Sequence, residues 1–193
     1  MKKIIIFLLL VFSPLWAQTT PTQALEALFK PFESVTSVQA DFVQENFLAM
    51  LTGPVQSKGF FVFQKNPAAL RFMYNEPFEN GLLFTNGNVW RIIKKEKTPI
   101  QGAMAQTVAA QLMVWLTMDR EKLLQNYNVT PFEEGLVFKP KTPQALAQIT
   151  VWFHDTLPGA LKEVELKEAG GDKTVLHFSN VRLNENLNRS VFQ

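Results

Sequence analysis

Four short runs, Gly59–Phe63, Leu70–Tyr74, Leu82–Thr85 and Val89–Ile93, carry apolar side chains on both faces. Side chains alternate across a strand, so Phe61 and Phe63 point one way while Phe60 and Val62 point the other. An antiparallel sheet with one wet face alternates apolar and polar residues instead. These strands need apolar cover on both sides, which suits a sheet curled around a packed core or around a cavity that takes an apolar ligand. Parity divides the side chains into two sets without saying which set is concave.

Lys2 and Lys3 precede an apolar run from Ile4 to Phe12, and Ser13-Pro14-Leu15-Trp16-Ala17 offers a small residue at a cut. Residues 1–17 therefore read as a cleaved secretory signal peptide, leaving a single domain over 18–193 that is expected to be soluble. The leader holds two of the 19 basic residues, so 17 basic face 17 acidic residues in the remainder. No Lys or Arg block argues for nucleic acid or an anionic membrane, and Lys94-Lys95-Glu96-Lys97 reads as a solvated hairpin end. The chain has no cysteine, which excludes a disulfide framework and a thiol nucleophile.

Thr20-Pro21-Thr22-Gln23 has the residue types of a helix start, and Leu25, Leu28, Phe29 and Phe32 follow at helical spacing, with Pro31 expected to stop or kink the helix. Val38–Gln44 reads as the first strand, with Val38, Ala40 and Phe42 opposed to Gln39, Asp41 and Val43. Asn86-Gly87 suits a tight hairpin turn. The period then changes: Val108, Leu112, Trp115 and Leu116 recur at helical spacing, and Asp119 is placed to cap a second segment through Leu123, Leu124 and Tyr127. Strand patterning resumes at Gly135–Phe138, Ile149–Phe153, Glu163–Lys167 and Thr174–Phe178, with far cleaner alternation and a turn at Gly170-Gly171-Asp172. The expected fold is mainly β (α+β): one curled, incomplete antiparallel β-barrel, with helices as a lid over one opening.

Catalysis needs convergent polar groups, and few present themselves. His154 and His177 have no metal-ligand partner at standard spacing, and Glu163 with Glu165 is the wet face of a strand more simply than an acid–base pair. No enzyme, metal site or cofactor is expected. What remains is apolar: 15 of the 17 Phe follow the leader, with Trp90, Trp115, Trp152 and five Met. Aromatics and Met at regular spacing most often form core, while the all-round apolar middle helix and adaptable Met suit a cavity.

Gly59-Phe60-Phe61-Val62-Phe63-Gln64-Lys65-Asn66-Pro67, Leu70-Arg71-Phe72, Pro77 and Leu82 through Trp90, with Val38–Gln44 upstream, resemble the LolA-type outer-membrane lipoprotein carrier family. Leu136–Pro140, Ile149-Val151-Phe153 and Thr174–Val181 extend the resemblance over nearly all of the chain after the leader. It implies a periplasmic carrier, monomeric, that shields the acyl chains of lipoproteins between an inner-membrane release complex and an outer-membrane acceptor. The cavity lining is then expected among Phe61, Phe63, Phe72, Phe84, Trp90, Leu112, Leu116 and Trp152. In the family an Arg just before Pro ties barrel to lid; Lys65-Asn66-Pro67 puts Lys65 there, one residue further off, without the planar fork. The apolar stretch Leu48–Pro54, and an end at Phe192-Gln193 where well-known members continue, resemble a divergent branch. A glycolipid or pigment-like cargo, or a non-carrier scaffold on the same fold, are the alternatives.

Overall fold

A computed structural model describes residues 21–102, 113–132, 134–142 and 145–193. Eleven strands form one antiparallel sheet in the order β6-β5-β4-β3-β2-β1-β11-β10-β9-β8-β7. They are β1 (Ser37–Phe47), β2 (Val55–Gln64), β3 (Ala69–Glu76), β4 (Asn80–Thr85), β5 (Asn88–Ile93), β6 (Glu96–Ile100), β7 (Tyr127–Phe132), β8 (Gly135–Pro140), β9 (Leu146–Phe153), β10 (Leu161–Glu168) and β11 (Lys173–Leu183). Neighbours in the sheet are neighbours in sequence except where β1 meets β11, so two meanders are joined at that seam. β6 and β7 remain as free edges, and the sheet does not close into a barrel. Each edge strand carries a proline, Pro99 in β6 and Pro131 in β7, which removes a ladder donor and blunts edge-to-edge pairing.

Helix α1 (Pro21–Glu33) begins at Pro21, as its sequence predicts, but runs two residues past Pro31. Proline so near a helix end forfeits one internal hydrogen bond without forcing a break at that residue. A helical turn occupies residues 113–116, and α2 (Arg120–Asn126) follows. The Asp119 side chain accepts from the Lys122 backbone N–H at 3.2 Å, and this bond, the largest influence, holds its carboxyl below the usual carboxylate range. At the other end, Lys141 Nζ donates to the Leu124 carbonyl at 2.7 Å. Tyr127 does not continue α2; it starts β7, an edge strand that the helical spacing of Leu123, Leu124 and Tyr127 concealed. β6 was likewise hidden in the charged stretch after Ile93.

The sheet has a packed core on each side of its first half. On the concave side Ala40, Phe61, Phe63, Leu70, Phe84 and Val89 pack together. On the convex side Val62, Ala69, Met73, Leu83 and Ile92 are covered by the C-terminal segment, whose Leu187, Val191 and Phe192 lie over them. That segment ends in a 3₁₀ turn (Arg189–Phe192) and is held by Arg71 Nη1, which donates to the Val191 carbonyl at 3.0 Å. The two apolar faces of β2–β5 are thereby accounted for by two separate layers. In the second half the main core is on the concave side, with Leu136, Phe138, Ile149 and Val151 meeting Phe29 and Phe32 of α1 and Leu123 of α2. Its convex side carries Glu163, Glu165 and Lys167, which is why β10 alternates cleanly.

Backbone geometry dictates two glycines, Gly59 by close approach and Gly87 by its left-handed turn. A Cβ on Gly59 would collide with the Met73 carbonyl oxygen and press on the Phe42 ring, so β2 and β3 could not pair this way there with any other residue. In the β4–β5 hairpin both Asn86 (φ 51°) and Gly87 (φ 75°) are left-handed, the geometry of a type I′ turn.

Candidate functional site: an apolar cavity under the helical lid

A cavity of about 620 Å³ lies between the concave face and the helices. Its floor comes from the seam and the second half: Val38 and Ala40 of β1, Phe61 of β2, Ile149 and Val151 of β9, Leu161, Val164 and Leu166 of β10, and Leu176, Phe178 and Val181 of β11. Phe32 from α1, with Trp115, Leu116 and Met118, supplies the roof. Among the described lining residues none is charged.

Two irregularities bring this lining together. Between Gln39 and Asp41 the β1–β11 register shifts, and Asn180 adopts φ 51°, so that Phe178 and Val181 both face inward although they are three residues apart. A second shift between Leu161 and Glu163 does the same for Leu161 with Val164 and Leu166. Ala40 is small enough for Phe61 and Phe178, on the strands either side of it, to meet edge to face at 5.5 Å. Each bulge also bends its strand, which suits a sheet that must curl.

Of the side chains named from sequence, Phe61 and Leu116 line the cavity. Phe63, Phe72 and Phe84 are on the same concave side but inside filled core. There Phe42 stacks on Phe72 at 4.5 Å, and both meet Tyr74 edge-on, so the first half is occupied by its own rings. Burial raises the Tyr74 pKa, partly offset by its 2.7 Å hydrogen bond to Gln44 Oε1. Trp90 is a correction: it belongs to the convex core with Phe192, because Val89 takes the concave side and the next residue must face away. Trp152 is another, since Val151 is the inward residue and Trp152 packs on Phe132 on the far side. Leu112 lies outside the described residues. The residues missed include Val38 and Ala40 of β1 and the roof residues Phe32, Trp115 and Met118, but most belong to the second half, where the signal was present: Val164 and Leu166 alternate with Glu163, Glu165 and Lys167, which assigns them inward.

Lys65 stands where the lid ends. Its Nζ donates to the carbonyl of Glu33, the last residue of α1, at 3.4 Å, and its backbone N–H donates to the Thr36 carbonyl at 2.8 Å. The side-chain bond is long and exposed, so it is a weak tie. A second link, Arg120 to Glu26 at 3.9 Å, joins α2 to α1 and is exposed as well. The lid is therefore held mainly by Phe29 and Phe32, buried against the second half of the sheet. His177 lies on the convex surface, its Nδ1 2.9 Å from Glu163 Oε2, and His154 sits beyond the end of β9 beside Thr156; neither faces the cavity.

Comparison with known proteins yields consistent similarities. The family described as outer membrane lipoprotein carrier protein LolA matches residues 33–193. The outer-membrane lipoprotein carrier protein of Nitrosospira multiformis is 24% identical over 191 residues, covering 97% of this chain and 91% of that protein. The protein of the same name from Methylococcus capsulatus is 24% identical over 180 residues, covering 92% and 84%. Among solved structures, the lipoprotein LppX of Mycobacterium tuberculosis superposes with a TM-score of 0.50 at 14% identity over 86% of this chain and 95% of that one, a likeness of fold.

Proposed function

This chain belongs to the outer membrane lipoprotein carrier protein LolA family, and from that premise we propose that it is a periplasmic carrier whose cavity takes acyl chains and shields them from water. The observation that carries this reading is the uncharged lining of the cavity under the lid. Its volume corresponds to on the order of 20 water-sized groups at roughly 30 Å³ each, the scale of one acyl chain. Burying a chain of about 16 carbons at about 0.8 kcal/mol per methylene is worth roughly 12 kcal/mol, close to nanomolar affinity if fully realised.

Release requires that part of this be spent on opening the lid. Phe29 and Phe32 of α1 must leave their packing for the roof to swing clear, while Lys65 adds only a marginal tie as latch. A closed lid that is favoured without cargo lowers the apparent affinity by the fraction of time the site is open. A lining without charge reads hydrocarbon and leaves the headgroup unread. The donor and acceptor would then choose between lipoproteins and other acylated lipids.

Binding and not turnover is the expected activity. Native mass spectrometry of the protein from a periplasmic extract should show one bound acyl lipid, displaced by a fluorescent fatty acid. A protein that extracts empty and ignores the fatty acid would refute the reading.

A further inference from the structure

The β1–β2 hairpin ends in a tip that hides none of its apolar side chains. Between Glu45 and Lys58 the sequence has no charged residue, and Leu48, Met50, Leu51 and Val55 stand exposed, Met50 at 95%. Surface loops are ordinarily polar. The tip is also held in shape by polar bonds: Leu51 N–H donates to the Leu48 carbonyl at 2.9 Å, and Ala49 N–H donates to Asp172 Oδ1 at 2.9 Å. It presents its side chains to the outside.

Pairing places two further exposed apolar groups at the same end of the sheet. Gly59, Tyr74, Asn80 and Ile93 form one row across β2 to β5, so Phe78 in the β3–β4 loop and Ile93 before the β5–β6 turn lie at the end from which the β1–β2 tip rises. These six residues are all the exposed large apolar side chains among the described residues. Val55 lies four residues beyond the Gly59 row, so the tip projects by roughly 13 Å past it, at 3.3 Å per residue. Lys94, Lys95 and Lys97, all exposed, stand at that end on the β5–β6 hairpin; Glu96 among them and Glu79 in the β3–β4 loop offset two of these charges, and Lys58 is paired with Glu76 at 3.0 Å, so a small positive excess remains.

We propose that this end of the sheet docks on a lipid bilayer, with Leu48, Met50 and Leu51 entering the interface and Lys94 and Lys95 meeting anionic headgroups. Shape decides for a bilayer over a folded partner, and charge agrees with it. The apolar groups are separate projections at different heights, which a protein could bury only with a matching set of hollows, whereas a fluid interface takes any relief. The small lysine excess on the β5–β6 hairpin, which in the sequence reads as a solvated end, suits an anionic phospholipid surface once the apolar groups beside it are seen. The inference goes beyond acyl-chain binding and does not depend on which cargo the cavity takes.

Vesicle flotation tests it, using the protein from residue 18 onward with phosphatidylcholine vesicles with and without phosphatidylglycerol. The wild type should float with both and more strongly with the anionic ones. The double variant M50D/L51D should lose about tenfold or more in partitioning, while its circular dichroism and its fatty-acid probe binding in solution stay as in the wild type. A single M50W variant should be quenched by brominated acyl chains. A wild type that floats with neither vesicle, or a double variant that floats as well, would overturn the proposal. So would capture of a folded partner by the tip without vesicle binding. A protein that floats through its tip yet ignores fatty acids would keep this inference and refute the carrier reading, so the two fail separately.

Discussion

Filling the cavity should separate stability from binding. Val164 sits on β10 between Val151 of β9 and Leu176 of β11, lines the cavity, and is only half-buried. Phe in its place adds four carbons to the side chain at a strand position that suits an aromatic residue. In the empty protein the ring occupies open apolar space, so unfolding in urea should show unchanged or slightly higher stability. With cargo, about four methylenes lose their place, and at about 0.8 kcal/mol each this costs about 3 kcal/mol. Affinity should fall on the order of 200-fold, since each 1.4 kcal/mol is tenfold. Displacement of a fluorescent fatty acid, read alongside the urea midpoint, measures both quantities on one sample. Unchanged affinity in V164F with a native midpoint would refute the assignment of this cavity as the acyl site.

Phe192 is buried against the convex core, and F192A should cost about 3 kcal/mol in urea unfolding while leaving fatty-acid affinity within about twofold, because it lies across the sheet from the cavity. For Lys65, K65M should speed release of a bound probe by a few-fold and K65R should slow it, as stopped-flow displacement would show; equal off-rates in all three would remove the latch role. D119A should cost about 1 kcal/mol at neutral pH. Because the folded carboxyl is held below its ordinary value of 3.8, the Asp119 contribution is complete above that pH and is lost as pH falls through the lower folded value, so the gap between D119A and wild type should close in acid. Urea melts at both ends of that range measure it.

β1 and β8–β11 were legible from alternating apolar positions and β2–β5 as short apolar runs bounded by turn residues, and Asn86-Gly87 marked its hairpin by residue type alone. β6 and β7 were not, since an edge strand needs little apolar patterning and each carries a proline. Parity in β2–β5 separated Phe61 from Phe60 correctly but left no sign, because both faces are buried; the choice of Trp90 failed on that ambiguity. The seam bulge at Asn180 and the β9–β10 bulge near Leu161 could not be read from spacing, since each turns an odd separation into a shared face. Trp152 alternates with Val151, so the inward position of Val151 places the larger ring on the opposite face.

The C-terminal segment over β2–β5 makes the sheet mechanically unequal. That half is a laminate, gripped by apolar layers on both sides and filled by its own rings, so bending it would break two cores at once. From β8 to β10 the sheet has one packed layer and a back covered, among the described residues, only by the Phe132–Trp152 pair, and the bulges at the β1–β11 seam and between β9 and β10 are where its ladder is already interrupted. Compliance is concentrated on the side that holds most of the cavity lining. Under the carrier reading, guests of different girth would be accommodated by flexing that panel against a stiff frame, and amide exchange should be slower in β3 and β4 than in β8 and β9.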